Sequence, residues 1–153
     1  MTVYDSLMLK VEDMSPAEMH ALLQRESFGH LGCARDGRPY VVPMHYAYDG
    51  KDLYFFTTQG MKTRFIQANP QVCLQVEEII DSMNWRSVMV VGRATELTLA
   101  DEMQQAMKLI TERNPSLTPA ISATEVDSLG RAVDIALYRI MPEVIDGRQT
   151  VPS

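Results

Sequence analysis

Cysteine is scarce in this chain. There are two in 153 residues, Cys33 and Cys73, with no CxxC pair and no His/Cys cluster. That excludes a disulfide-built scaffold and speaks against a structural zinc site. Both thiols lie among apolar residues on expected strands and read as buried and reduced, the other readings being a disulfide or a redox switch. Long apolar runs are also missing, and none approaches the roughly 20 residues that span a bilayer. The first residues include Asp5, Glu12 and Asp13 instead of a basic-then-apolar leader, so a cytoplasmic location is expected, with no membrane partner. Positive charge is in deficit: 14 Lys and Arg against 20 Asp and Glu, a net charge of −6. A duplex-binding surface is basic, so a nucleic-acid role is disfavoured. No Ser-His-Asp order, metal box or paired catalytic carboxylates stand out. Repeats, low-complexity tracts and linkers are absent too, which leaves one domain over 1–153.

What is present concentrates between Pro39 and Arg64. Two β-rich runs flank Asp49-Gly50, a strong short-range hairpin signal. Gly60-Met61-Lys62-Thr63-Arg64 follows and reads as a cationic helix start. A helix N-terminus presents free N–H groups and a positive dipole end, so it can hold a phosphate. Lys62 adds a full charge and Thr63 a hydroxyl. Strand, turn, strand, then Gly-Met-Lys-Thr therefore suggests a phosphorylated planar ligand lying on a sheet. The local excess of Lys62, Arg64 and Arg86 suits a small anion.

The remaining elements follow from periodicity and punctuation. Ser15-Pro16-Ala17-Glu18 combines an N-cap, a first-turn proline and a capping box, which predicts a helix to about Glu26 with Met19, Leu22 and Leu23 inward. Strands are expected at 28–34, 39–48, 51–58, 72–78, 85–97 and 133–141. Helices are expected at 61–68 and 99–113, the latter through Met103, Ala106, Met107 and Ile110. Within 39–48, Val41, Pro43, His45 and Ala47 face opposite to Tyr40, Val42, Met44, Tyr46 and Tyr48. Gly92 is a candidate bulge. The segment 114–130 reads as loop with one helical turn, and the tail after Gly147 as loose. No strand–helix alternation indicates a parallel sheet, so a mainly β, six-stranded antiparallel barrel with peripheral helices is expected.

The ordered set Gly29-His-Leu-Gly32, Pro39-Tyr-Val-Val-Pro43, Tyr54-Phe-Phe-Thr57, Gly60-Met-Lys62, Asn69-Pro-Gln-Val-Cys73 and Trp85 to Ala94 resembles the FMN-binding split-barrel family. That superfamily includes pyridoxamine 5′-phosphate oxidase and the nitroimidazole-resistance proteins. Tyr138 to Glu143 is similar to the family's last strand. The resemblance implies a split barrel, FMN as cofactor, and a homodimer with FMN at the subunit interface. It implies that Val42, Pro43, Met44 and His45 border the flavin ring, largely through backbone. Phe56 and Thr57 match the aromatic–threonine pair before the phosphate loop. Met61, Lys62 and Thr63 match the phosphate loop itself, where the oxidases carry Arg-Lys, so Met61 removes one cation that Thr63 or Arg64 would replace. Trp85 and Ser87 match the region that the second subunit closes over the flavin, with Ser87 in place of a glutamine.

Each residue also has a plainer reading. Pro43 fits any edge strand. Lys62 fits a solvated surface, Thr57 a strand end, Trp85 a core or interface. His20 reads as solvated and His30 as structural, leaving His45 as the histidine beside the presumed ring. Val88, Val90 and the surroundings of Trp85 are candidates for the dimer contact. Flavin chemistry suits the missing catalytic sets, because the cofactor performs the redox step. The functional expectation is an FMN-dependent oxidoreductase acting on a small planar molecule. The alternatives are a flavin-binding or redox-sensing protein without a dedicated substrate, a haem or deazaflavin binder, and a pure interaction module.

Overall fold

The computed structural model describes residues 9–58, 60–115 and 135–151. Among these, eight strands form one sheet: β1 (Val11–Asp13), β2 (Phe28–Arg35), β3 (Arg38–His45), β4 (Ala47–Tyr48), β5 (Leu53–Thr58), β6 (Gln71–Asp81), β7 (Asn84–Glu96) and β8 (Ile135–Thr150). Three helices accompany them: α1 (Pro16–Arg25), α2 (Met61–Ala68) and α3 (Ala100–Arg113). Strand order is β3-β2-β6-β7-β8-β5-β4, with β1 added on β8, and every pairing is antiparallel. The sheet divides along β8. Its first residues pair with β5, its last with β1, and β7 runs beside both parts. The chain is thus mainly β with a split-barrel topology.

The antiparallel class and the three helices match expectation, but the strand count rises from six to eight. One added strand, β1, has only three residues, too few for a periodic signal. The other arises because the run 39–48 breaks at Tyr46. There the backbone N–H donates to the Ser27 carbonyl and the buried hydroxyl to the Leu23 carbonyl, which draws Tyr46 out of the ladder. The tail is a correction. Gly147 to Gln149 pair with β7, and Arg148 to Thr150 with β1, so the end of the chain is strand rather than loose coil. Its polar composition hid this, because one partner strand is far away in sequence. The loop and helical turn expected within 114–130 lie, from residue 116 onward, outside the described residues.

Turn chemistry is local. Asp36 and Gly37, both with positive φ (50° and 78°), join β2 to β3, as a two-residue hairpin turn requires. Asp49 Oδ1 accepts from the N–H of Lys51 (2.8 Å) and of Asp52 (2.7 Å), which closes the turn from β4 to β5. At α1, Ser15 Oγ accepts from Glu18 N–H (3.2 Å) and Glu18 Oε1 from Ser15 N–H (2.9 Å). Ser15→Ala should cost about 1 kcal/mol of stability. Denaturant unfolding checks this, and an unchanged midpoint would show that the cap is replaced by water.

Two apolar clusters result. The larger fills the barrel with Leu31, Phe55, Leu74, Val76, Val88, Val90 and Ile140, and α1 adds Leu22 and Leu23. The smaller lies on the other face of β5 and β8, where Leu137 meets Ala106 and Ile110 of α3. Val88 and Val90 are fully buried, so they cannot serve as dimer contacts; their neighbours Met89 and Val91 point outward. The parity of β7 decides this, and it cannot be read where every residue of a run is apolar. At Gly92 the β7–β8 register slips, with Val91 opposite Val144 but Gly92 opposite Pro142. A Cβ on Gly92 would lie 2.4 Å from the Met141 carbonyl oxygen. No helix among the described residues is long and apolar enough to cross a membrane.

Candidate functional site

The start of α2 gathers hydrogen-bond donors and positive charge. The first intrahelical bond runs from Arg64 N–H to the Gly60 carbonyl, so the N–H groups of Met61, Lys62 and Thr63 have no acceptor within the helix. The first turn carries no acidic side chain. Lys62 is half-buried there, close enough to the barrel for its ammonium to act on Cys33. Burial pushes the Cys33 thiol up and Cys73 adds to that, while Lys62 opposes both. Cys33 and Cys73 are both free. Thr63 is buried and committed to its own helix: its hydroxyl accepts from Gly60 N–H (2.9 Å) and donates to the Gly60 carbonyl (2.8 Å). Met61 is exposed. On β5, Thr57 faces inward and donates to the Thr58 carbonyl (3.1 Å), while Phe56 faces α3.

Next to α2 lies β3, held there by Tyr40 against Phe65 at 5.4 Å. β3 ends the strand path, so one side of its backbone is unpaired by strands, and Pro43 occupies that edge. Met44 is buried and Val42 packs against the core, so these two offer backbone rather than side chain. Pro43 and His45 face outward. His45 Nδ1 lies 3.1 Å from Asn114 Oδ1, and its ring meets Phe28 edge-on at 5.2 Å. Sequence reasoning did not single out Asn114; it follows α3 as an ordinary C-cap, and nothing local announces its partner on β3.

Trp85 and Ser87 stand apart. They share the outward face with Pro43 and His45, but β2 and β6 intervene, which places them about 14 Å from β3 at the usual strand spacing. Ser87 Oγ accepts from Gln75 Nε2 (2.9 Å), and Trp85 N–H donates to Thr150 Oγ1 (3.1 Å). To one side of both groups an apolar row crosses five strands: Val41, Gly32, Cys73, Val91 and Val144. Val41 is 66% exposed and Val144 50%. A groove of about 390 Å³ follows the row from Val41 to Val91. His20, expected to be solvated, is exposed and is also hydrogen-bonded to the Tyr48 hydroxyl. His30 is half-buried with Phe28 edge-on to it. A second cleft, of about 370 Å³, lies under α3 and contains none of the candidate cofactor-binding residues. There Tyr54 donates to Asp49 (3.0 Å), and burial with Asp49 pushes its phenol up to about 12. Among the described residues no group of three or more His, Cys, Asp or Glu is placed to hold a metal ion.

The sequence profile of the family described as pyridoxamine 5′-phosphate oxidase matches residues 15–149. An uncharacterised protein of Rhizobium meliloti (strain 1021) is 39% identical over 87 residues, which are 57% of this chain and 58% of the relative. The match thus spans little more than half the length of that relative. Among solved structures, an FAD-binding protein of Mesorhizobium loti is 32% identical, with a TM-score of 0.77 covering 95% of this chain and 100% of the other. An FAD-binding protein of Mycobacterium smegmatis has a TM-score of 0.69 at 20% identity, covering 93% of this chain and 100% of the other, a likeness of fold.

Proposed function

The chain belongs to the pyridoxamine 5′-phosphate oxidase family, and from that premise we propose that it is a flavoprotein that binds FMN and acts as an oxidoreductase on a small planar molecule. One observation carries the reading. Three amides with no acceptor within the helix, a half-buried lysine and no acid meet at the start of α2, whose Phe65 packs on Tyr40 of the edge strand β3. The donor set fits a phosphate on α2 and a ring edge on β3. In this reading Lys62 and the α2 amides hold the phosphate. The β3 backbone from Val42 to His45 orients the ring, and Phe56 and Thr57 stand near the end of the strand that leads into the phosphate loop. When bound, flavin supplies hydride or electron transfer; the protein supplies binding, orientation and exclusion of water. Thr63 serves by fixing Gly60 and so the aim of the amides, and Met61 leaves the phosphate one cation short of the oxidase pattern.

FAD and FMN share the riboflavin unit and its first phosphate, so Lys62 suits either; the choice of FMN follows the resemblance to the FMN-binding split-barrel family. Purified protein should be yellow, and chromatography of the heat-released chromophore should give FMN. FAD would overturn the choice of nucleotide, and a colourless protein that takes up no flavin would overturn the reading. The apolar groove offers few polar groups to a substrate, which favours the second reading, a flavin-binding sensor. Steady NAD(P)H-dependent turnover separates the two.

The proposal includes a homodimer, cytoplasmic in setting. Trp85 and Ser87 stand about 14 Å from β3 in one chain, and a second copy seated on the apolar row would present its own Trp85 and Ser87 to the first copy's β3. Val91→Glu places a charge in that row on a residue outside the core. Sedimentation should report a dimer for the parent and a monomer for the variant, with flavin lost from the latter. A parent monomer at micromolar concentration that retains flavin would count decisively against the shared site.

A further inference from the structure

We propose that Asn114 is a positioning residue that fixes His45 in its Nδ1–H tautomer, so that neutral His45 offers Nε2 as an acceptor to an N–H or O–H of the bound ligand. The argument is one of hydrogen-bond polarity. Asn114 is 4% exposed. Its Nδ2 donates to the Tyr46 carbonyl (3.2 Å) and to the Ile110 carbonyl (3.0 Å). Both amide hydrogens are therefore used, and the reverse orientation would press Oδ1 against two carbonyl oxygens. Oδ1 must face His45, and it can only accept. The contact at 3.1 Å thus requires the hydrogen on Nδ1.

Free histidine side chains favour the opposite, Nε2–H form, so the state at His45 is imposed by its neighbour. The support is rigid. Asn114 caps α3, its own N–H donating to Ile110 (2.9 Å), and α3 is anchored by buried Ala106 and Ile110. Phe28 meets the imidazole edge-on at 72°, which restrains rotation of the ring. His45 is at the outward corner of β3, next to Pro43. An acceptor there selects a ligand group that donates and disfavours one that presents a bare carbonyl. The ligand half of this inference rests on the flavin reading; the tautomer half does not.

Nitrogen-15 NMR of the imidazole distinguishes the tautomers directly. Spectra are taken where they show His45 to be neutral. The parent should give Nδ1–H, Asn114→Ala the ordinary Nε2–H, and Asn114→Asp, which keeps an acceptor but loses both donors, should restore Nδ1–H. A role in packing alone predicts that the two variants behave alike. FMN titration under the same conditions should show a loss of about 3- to 10-fold for Asn114→Ala, the scale of one neutral hydrogen bond, and recovery in Asn114→Asp. In a His45→Phe background Asn114→Ala should cost nothing further. A parent in the Nε2–H form, or an Asn114→Ala variant that keeps Nδ1–H, overturns the proposal. Equal FMN losses in Ala and Asp variants overturn the acceptor role. Should no form bind FMN, the flavin reading falls, and the NMR result alone decides the tautomer.

Discussion

Lys62→Ala is expected to weaken FMN binding by about 10- to 100-fold and to leave riboflavin binding unchanged. A charge-assisted hydrogen bond to phosphate is worth about 1.5–3 kcal/mol, and about 1.4 kcal/mol is a factor of ten. Riboflavin lacks the phosphate, so nothing at Lys62 should act on it. The amides of α2 remain in the variant, which is why binding weakens instead of vanishing. Folding should be little affected, because the buried members of α2 are Thr63 and Ile66 and Lys62 is not one of them. Parallel titrations with the two ligands make the comparison. Equal losses for both, or no loss for either, would return Lys62 to an ordinary surface lysine.

Gly92→Ala should be the most damaging conservative change in the sheet. The added Cβ would meet backbone on both counts, at 2.4 Å from the Met141 oxygen and 3.0 Å from its carbonyl carbon. Backbone cannot swing aside as a flexible side chain does, so the cost falls at the upper end of overpacking, about 3 kcal/mol. For a chain of this size that lowers Tm by roughly 6–12 °C. Gly60→Ala is the control. Its φ of 177° is extended, nothing lies within 4 Å of the new Cβ, and flavin-free stability should move by less than about 0.5 kcal/mol. A Gly92→Ala variant as stable as the parent would mean that β8 shifts its register at little cost.

The same positions show what the sequence reveals of the fold and the site. Helix starts are written locally: Ser15, Pro16 and Glu18 meet within one turn, and so do Gly60 and Thr63. The Asp49-Gly50 hairpin turn was legible for the same reason, because Asp-Gly needs no distant partner. β1 and the end of β8 were not, since β1 is strand only by virtue of β8, more than 130 residues away, and the end of β8 by virtue of β7 and β1 together. Val88 and Val90 were misjudged because alternation carries no information in an all-apolar run. At the site, Lys62 and Pro43 announce themselves through a neighbouring glycine and a missing N–H. Thr63 pointed to a ligand by its hydroxyl, yet its capping bonds to Gly60 consume it. Asn114 could not be found at all from sequence, because its importance lies in whose carbonyls surround it.

The pairing of Val11 to Asp13 with Arg148 to Thr150 also bears on how the chain reaches this structure. Closing so long a loop costs entropy before any contact repays it. Sheets dominated by such distant partners form slowly, roughly in milliseconds to seconds. During synthesis the first strand must wait until nearly the whole chain has emerged. Until then the β8 side of β7 is an open edge flanked by the apolar residues of the outward face, and the half-made barrel is the species most exposed to aggregation.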